Sequence, residues 1–401
     1  MIALLLACTG PDPVSTPPDV QAPPAVEQVP ADVASVDAPS TGANDVVGAS
    51  NALAQDLWGQ LGGDAGAVFS PMSIETALAM TLAGTAGDTE ALLANALHLG
   101  TTPHADMAVW LQAMNSQEHV TLVVANAIWP NAGLDVKPSF VTTVKEQYAG
   151  AARTLDYSDP EAARQVINGW VSDRTKENIP DLLPEGSVTE DTRMVLTNAV
   201  YLKAKWADPF DAGDTRDAAF RLADGTEIQV PTMAADRQVQ VSLDPEWTVL
   251  RLPYRGGDAD MVVAMPASPD ALASADLAAL SARADAAQWQ QSALRLPKWE
   301  QRASSSLNGP LRALGLGPLF EDGADFSNMT SASGLRITDV VHEAWVKVDE
   351  AGTEAAAATA VVVGIKSMPP PAVPLVIDQP FVFMVRHQGA ILFVGRVDDP
   401  R

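Results

Sequence analysis

Glu350-Ala351-Gly352-Thr353-Glu354-Ala355-Ala356-Ala357-Ala358-Thr359-Ala360 continues through Val361-Val362-Val363-Gly364-Ile365-Lys366-Ser367, and it sets two local rules against each other. Its alanines favour helix. Yet the segment leaves the β-rich run Trp345-Val346-Lys347-Val348 through a glycine and enters valines followed by Pro369-Pro370-Pro371. A stretch whose own preference opposes its surroundings is either a plain surface helix or a piece that changes conformation as part of its function. Successive side chains of a strand point to opposite faces of a sheet. If this segment joined a sheet, Thr353, Ala355, Ala357 and Thr359 would go under together, and all four are small. Small residues pass beneath a sheet without a clash or an unpaired charge. A proline or a large ion among them would remove a ladder bond or bury a charge.

The rest of the chain supplies a large core. Of 401 residues, 47% are apolar, which suits one large domain with a tail as well as it suits two domains. The formal net charge is -25 at pH 7, and the first Lys or Arg is Lys137. A chain so acidic lacks the cations that displace counterions from phosphate backbones, so no nucleic-acid partner is expected. There is no Gly-x-Ser-x-Gly, no His-Glu-x-x-His and no phosphate loop, and Gly315-Leu316-Gly317 is too short for a dinucleotide signal. The acidic residues show no metal-ligand spacing. The expectation is a protein that is no enzyme and needs neither cofactor nor metal.

The sole cysteine, Cys8, rules out an internal disulfide. It follows Ile2-Ala3-Leu4-Leu5-Leu6-Ala7, and Leu5-Leu6-Ala7-Cys8 resembles the cleavage box of bacterial lipoprotein signals. That resemblance makes residues 1–7 a signal and Cys8 a lipidated first residue. The alternative is an apolar N-terminus with a buried or free thiol. Thr9 follows, and the absence of Asp there implies an outer-membrane, cell-surface location in a Gram-negative host. Residues 8–44 are rich in Pro, Ala, Val and Asp, with no aromatic and no basic residue after Cys8. They bury too little surface to offset ordering and read as a disordered tether. Residues 45–401 form the folded domain.

Apolar spacing predicts a first helix over 45–61, ended by Gly62-Gly63. Val68-Phe69-Ser70-Pro71-Met72-Ser73-Ile74 opens a second, with Ser70 as its cap and Pro71 in its first turn. A short helix is expected around 90–97 and a long amphipathic one over 160–176. Strands are expected at 122–129, 191–206, 227–231, 248–253, 260–266, 294–300 and 335–348, with helix at 270–280. Pro380-Phe381-Val382-Phe383-Met384-Val385 and Ile391-Leu392-Phe393-Val394-Gly395-Arg396-Val397 close the chain as core strands.

These blocks, in this order, resemble the serpin family over about residues 45–400. Glu350 to Thr359 matches the family's hinge: acidic, any residue, Gly, Thr or Ser, any residue, then small residues. Ser70 to Met80 matches its buried helix. Asp191-Thr192-Arg193-Met194-Val195-Leu196-Thr197-Asn198-Ala199-Val200-Tyr201-Leu202-Lys203-Ala204-Lys205-Trp206 matches a central strand, with Ala204 where the family carries Gly. The resemblance implies an α+β serpin fold of about nine helices and three β-sheets, with a large central sheet and an exposed reactive-centre loop over about 350–371. It also implies a monomeric suicide inhibitor of serine proteases, whose cut loop inserts into the central sheet as a new strand.

Residue by residue, the hinge would be Glu350, Gly352, Thr353, Glu354, Ala355, Ala356, Ala357, Ala358 and Thr359. Seventeen residues from Glu350, the family count sets the reactive bond at Lys366 and Ser367. A cationic Lys366 suits a protease with an acidic primary pocket, so the implied partners are trypsin-like enzymes. Ser70, Ser73, Asn198 and His342 match a buried polar cluster beneath the point where strands part, with Trp206 near the top of the sheet. Where some serpins carry a basic helix for sulfated polysaccharides, residues 105–118 hold Asp106 and Glu118 and no basic residue. The other reading is a non-inhibitory serpin that binds or carries a ligand; such members tend to hold bulky or charged residues in the hinge.

Overall fold

The computed structural model describes residues 41–100, 103–115, 120–353 and 372–401. The chain opens with α1 (Thr41–Leu61), which takes in four residues that composition gives to the tether, then β1 (Val68–Phe69) and α2 (Pro71–Leu82). The α2 cap is the expected one: Ser70 Oγ accepts the Ser73 N–H at 3.3 Å, with Pro71 in the first turn. Every residue of α2 is buried, as a helix apolar on nearly all faces must be.

Next come α3 (Gly87–Ala96), α4 (Pro103–Asn115), β2 (Val120–Pro130), α5 (Pro138–Tyr148), β3 (Ala151–Ala152), α6 (Pro160–Arg174) and β4 (Met194–Lys205). The start of α6 is fixed by Asp159, whose Oδ1 accepts the Ala162 N–H at 3.1 Å. It ends two residues before Lys176, because Lys176 and Glu177 both take positive φ and leave the helical region.

The chain then builds β5 (Arg216–Arg221), β6 (Glu227–Leu243), β7 (Trp247–Pro253), β8 (Ala259–Pro266), α7 (Leu277–Asp285), β9 (Gln288–Pro297), β10 (Trp299–Ser306) and α8 (Asn308–Leu311). The helix expected over 270–280 divides: a 3₁₀ turn at Pro269–Ala271, then α7 capped by Asp276 through the Ala279 N–H. The last strands are β11 (Asp339–Asp349), β12 (Gly352–Thr353), β13 (Val373–Val376), β14 (Phe381–His387) and β15 (Ala390–Val397).

Among the described residues there are eight α-helices and two hydrogen-bonded sheets. The six-stranded sheet runs β10-β11-β12-β4-β2-β3, and β11 also pairs with β4 directly. The nine-stranded sheet runs β1-β15-β14-β8-β7-β6-β9-β13, with β5 on β6. Two of the three expected sheets are thereby joined, because β6 is long enough to pair with β5 over 227–232, with β9 over 232–241 and with β7 over 240–243. The β14–β15 hairpin turns through Gln388 and Gly389, both at positive φ, as a two-residue connection requires.

Two apolar layers flank the six-stranded sheet. Beneath it, the main core joins Leu196, Val200 and Leu202 of β4 and Val346 and Val348 of β11 to α2 and to β14 and β15. Above it, Ala163, Ile167 and Val171 of α6 pack on Ala125, Ala127, Val195, Ala199 and Val341. So α6 packs against β2, within an apolar layer that continues over β4 and β11.

Candidate functional site

The segment that opens the sequence reading begins inside the six-stranded sheet. After Asp349 the chain turns through Glu350 and Ala351, and β12 comes back between β11 and β4. Gly352 stands opposite Asp349 on one side and Lys205 on the other; Thr353 stands opposite Val348 and Ala204. The backbone at Gly352 has φ 150°, and a Cβ there would lie 2.1 Å from the Ala204 carbonyl oxygen. Only glycine meets both conditions.

Thr353 is fully buried, and its hydroxyl bonds the Tyr254 hydroxyl at 2.5 Å. Tyr254 stacks on Trp206 with ring centroids 4.6 Å apart and planes 2° from parallel. Trp206 holds the turn twice, donating from Nε1 to the Asp349 carbonyl at 2.9 Å and from its backbone N–H to the Ala351 carbonyl at 3.0 Å. The Glu350 carboxylate accepts from the Thr215 hydroxyl at 2.6 Å and pairs with Lys298 Nζ at 2.9 Å. Burial opposes ionisation of Glu350, but the hydrogen bonds from Thr215 and Lys298 outweigh it and hold the carboxyl below the usual carboxylate range.

Below β12 the gap closes. From Asp339↔Val195 up to Trp345↔Tyr201, β11 and β4 pair directly and in parallel. The sheet is therefore parted by two residues at its upper edge and shut beneath.

Four of the polar residues singled out in the sequence meet under the shut part. The Ser70 backbone N–H donates to His342 Nε2 at 3.1 Å. That leaves the imidazole proton on Nδ1, which donates to Asn198 Oδ1. The Asn198 amide donates in turn to the Ser73 carbonyl at 2.7 Å and faces Ser73 Oγ and Asn126 Oδ1, each at 2.5 Å. The cluster ties α2, β2, β4 and β11 together, so separating β4 from β11 breaks it. Burial pushes His342 down to about 3 and keeps the ring neutral. An unfolded chain takes up that proton below about pH 6.5. The histidine's share of stability is thus present above that pH and lost as the pH falls toward 3.

A family model for serpins (serine protease inhibitors) matches residues 48–400. The bovine leukocyte elastase inhibitor is 35% identical over 358 residues, covering 84% of this chain and 94% of its own. The chain belongs to the serpin family. Among solved serpins, Serpin48 of the insect Tenebrio molitor superposes with a TM-score of 0.80 at 27% identity, covering 89% of this chain and 99% of that one. Human thyroxine-binding globulin in complex with its ligand superposes at 0.81 with 26% identity, covering 90% and 100%.

In this serpin the structure brings Glu350, Gly352, Thr353 and Trp206 together at the parted edge, and Ser70, Ser73, Asn198 and His342 beneath the seam. Glu354, Ala355, Ala356, Ala357, Ala358, Thr359, Lys366, Ser367 and Cys8 lie outside the described residues. The chain resumes as β13, parallel to β9 in the other sheet.

Two participants escaped the sequence reading. Asn126 completes the buried cluster, and its signal was an amide in the apolar run Leu122-Val123-Val124-Ala125-Asn126-Ala127-Ile128-Trp129. Tyr254, which receives Thr353, follows a strand end and carries no such signal. No group of residues fit to hold a metal occurs among the described residues, and no helix there is long and apolar enough to cross a membrane.

Proposed function

We propose that this serpin inhibits trypsin-like serine proteases as a suicide substrate, with Lys366–Ser367 as the bait bond and insertion of the cut loop as the trap. The observation that carries the reading is the seating of Gly352 and Thr353 as the first two residues of a strand between β4 and β11. Thr353 is already under the sheet, on the face that the alternation of small residues assigns to it. If the register is carried on, position 354 faces Lys347 and Lys203 across the two flanking strands, and position 355 faces Val346 and Leu202. An acidic residue followed by small ones suits that path.

In the reaction, the target serine Oγ attacks the Lys366 carbonyl carbon and the C–N bond to Ser367 breaks. Ser367 leaves as a free amine bearing the proton, and Lys366 stays as an ester on the enzyme. Insertion must then outrun hydrolysis. About sixteen residues at ~3.3 Å each carry the bound protease roughly 50 Å, and the strain distorts its oxyanion hole.

We further propose that Cys8 carries a lipid that holds the protein at the cell surface. The Cys8→Ser variant would then leave the membrane fraction. Incubation with trypsin tests the main reading: a complex that survives SDS is expected, and Lys366→Ala should abolish it. Simple cleavage with no such band would favour a non-inhibitory binding serpin.

A further inference from the structure

We propose that the stacked side chains of Tyr201 and Trp345 form a clasp in the path of a strand continued from Thr353, and that this clasp sets the rate at which the seam opens. The inference rests on loop insertion as the mode of action. Tyr201↔Trp345 is the uppermost rung at which β4 and β11 still pair directly; three residues further up each strand, Thr353 of β12 stands between Ala204 and Val348. Both side chains lie on the α6 face, since they share the strand parity of Val195, Ala199 and Val341, which pack there. Their rings stack across the seam, 5.7 Å between centroids and 20° between planes. Among the described residues this is the only aromatic pair joining β4 to β11.

Neighbours on β10 brace the tryptophan. The Arg302 guanidinium sits over the Trp345 ring at 5.5 Å, and Trp345 Nε1–H donates to Glu300 Oε1 at 3.1 Å. On the same face one rung lower, Glu343 stands opposite Ala199, and below that Val341 stands opposite Thr197. Neither rung offers an equivalent contact.

A strand that enters here must double the separation of β4 and β11 from about 4.8 to about 9.6 Å. Rings drawn that far apart no longer touch. Gly352 and Thr353 fit above the pair without disturbing it; a strand continued in the same register would draw level with the rings three residues further on and force them apart. The clasp therefore lies at the boundary between the parted and the closed sheet, and it must open first.

The test uses the full chain and an acetylated synthetic peptide with the sequence of Thr353 to Lys366, whose insertion is followed by native gel and by melting. No protease is involved. Trp345→Val and Tyr201→Val should each speed insertion by about 3- to 10-fold, the factor expected for one aromatic pair. The double variant should be no faster than the faster single, because both changes remove the same contact. Tyr201→Phe, which keeps the ring, should insert peptide at the wild-type rate.

Singles at the wild-type rate, fold-changes that multiply in the double variant, or Tyr201→Phe as fast as Tyr201→Val would each overturn the clasp. If a valine variant fails to fold, Trp345→Leu and Tyr201→Leu retain apolar bulk and report the same coupling. A peptide that inserts into no form of the protein would remove loop insertion and the clasp together. Uniform insertion in all forms would remove the clasp alone.

Discussion

Gly352 and Glu75 are the two positions where a single side chain most directly tests the packing. At Gly352 an added methyl would collide with the Ala204 carbonyl at an unfavourable φ, a strain on the order of 1–3 kcal/mol. Gly352→Ala should push the hinge out of the sheet and raise the number of inhibitor molecules consumed per trypsin molecule trapped; an unchanged ratio would mean that the two-residue seating is incidental. Glu75 is buried in α2, and neither carboxylate oxygen has a hydrogen-bond partner. Burial raises its carboxyl well above the ordinary value. A raised folded value means that stability drains away as the pH rises past the unfolded carboxylate's range. Glu75→Met should therefore stabilise the protein, by about 1–3 kcal/mol, and more at pH 8 than at pH 4. Equal gains at both pH values would contradict that assignment. Neither consequence was legible in the residues alone: Gly352 matched a motif, but its partner Ala204 is far off in sequence. Glu75 fell in the stretch matched to a buried helix, but no local pattern showed that its carboxylate would lack a partner there.

Among the elements, α6 has the clearest mechanical role. It packs on β2 through Ala163, Ile167 and Val171, in an apolar layer that continues over Val195 and Ala199 of β4 and Val341 of β11, so a strand entering the seam has to disturb that layer. Ile167→Ala should lower the stability of the intact protein by about 2–5 kcal/mol while speeding insertion of the hinge peptide. A variant that loses stability without inserting faster would show that α6 does not hold the seam shut. The 3.6-residue apolar spacing made this helix readable, as Ser70-Pro71 helped to do for α2. The elements that were missed lack such signals. In β5, Arg216-Asp217-Ala218-Ala219-Phe220-Arg221 buries only Phe220, so its pattern is set by pairing with β6 and not by a core. Only the first end of β6, 227–231, reads as a strand in the sequence, because Pro231 and the polar Asp236 to Gln240 interrupt the apolar pattern. The strand runs through them by pairing with β9.

For the whole molecule, ordered motifs made the family readable, and the polar cluster came with that resemblance, its hydrogen bonding being what buried polar groups require. The state of the loop was not readable. Whether a small-residue segment lies outside a sheet or within it depends on the competing closure of β4 against β11, which no local pattern encodes. The answer at the hinge is both: two residues are in, and the strands are closed below. The proposed mechanism requires this arrangement to be a folded state with a deeper one available once the rest of the loop is freed to follow. Melting of the intact chain against the same chain nicked by trypsin at Lys366 measures that difference directly. About a dozen new ladder bonds at roughly 1 kcal/mol each should lift the melting temperature by roughly 20 °C or more. A nicked protein that melts where the intact one does would mean that cleavage releases no such stability.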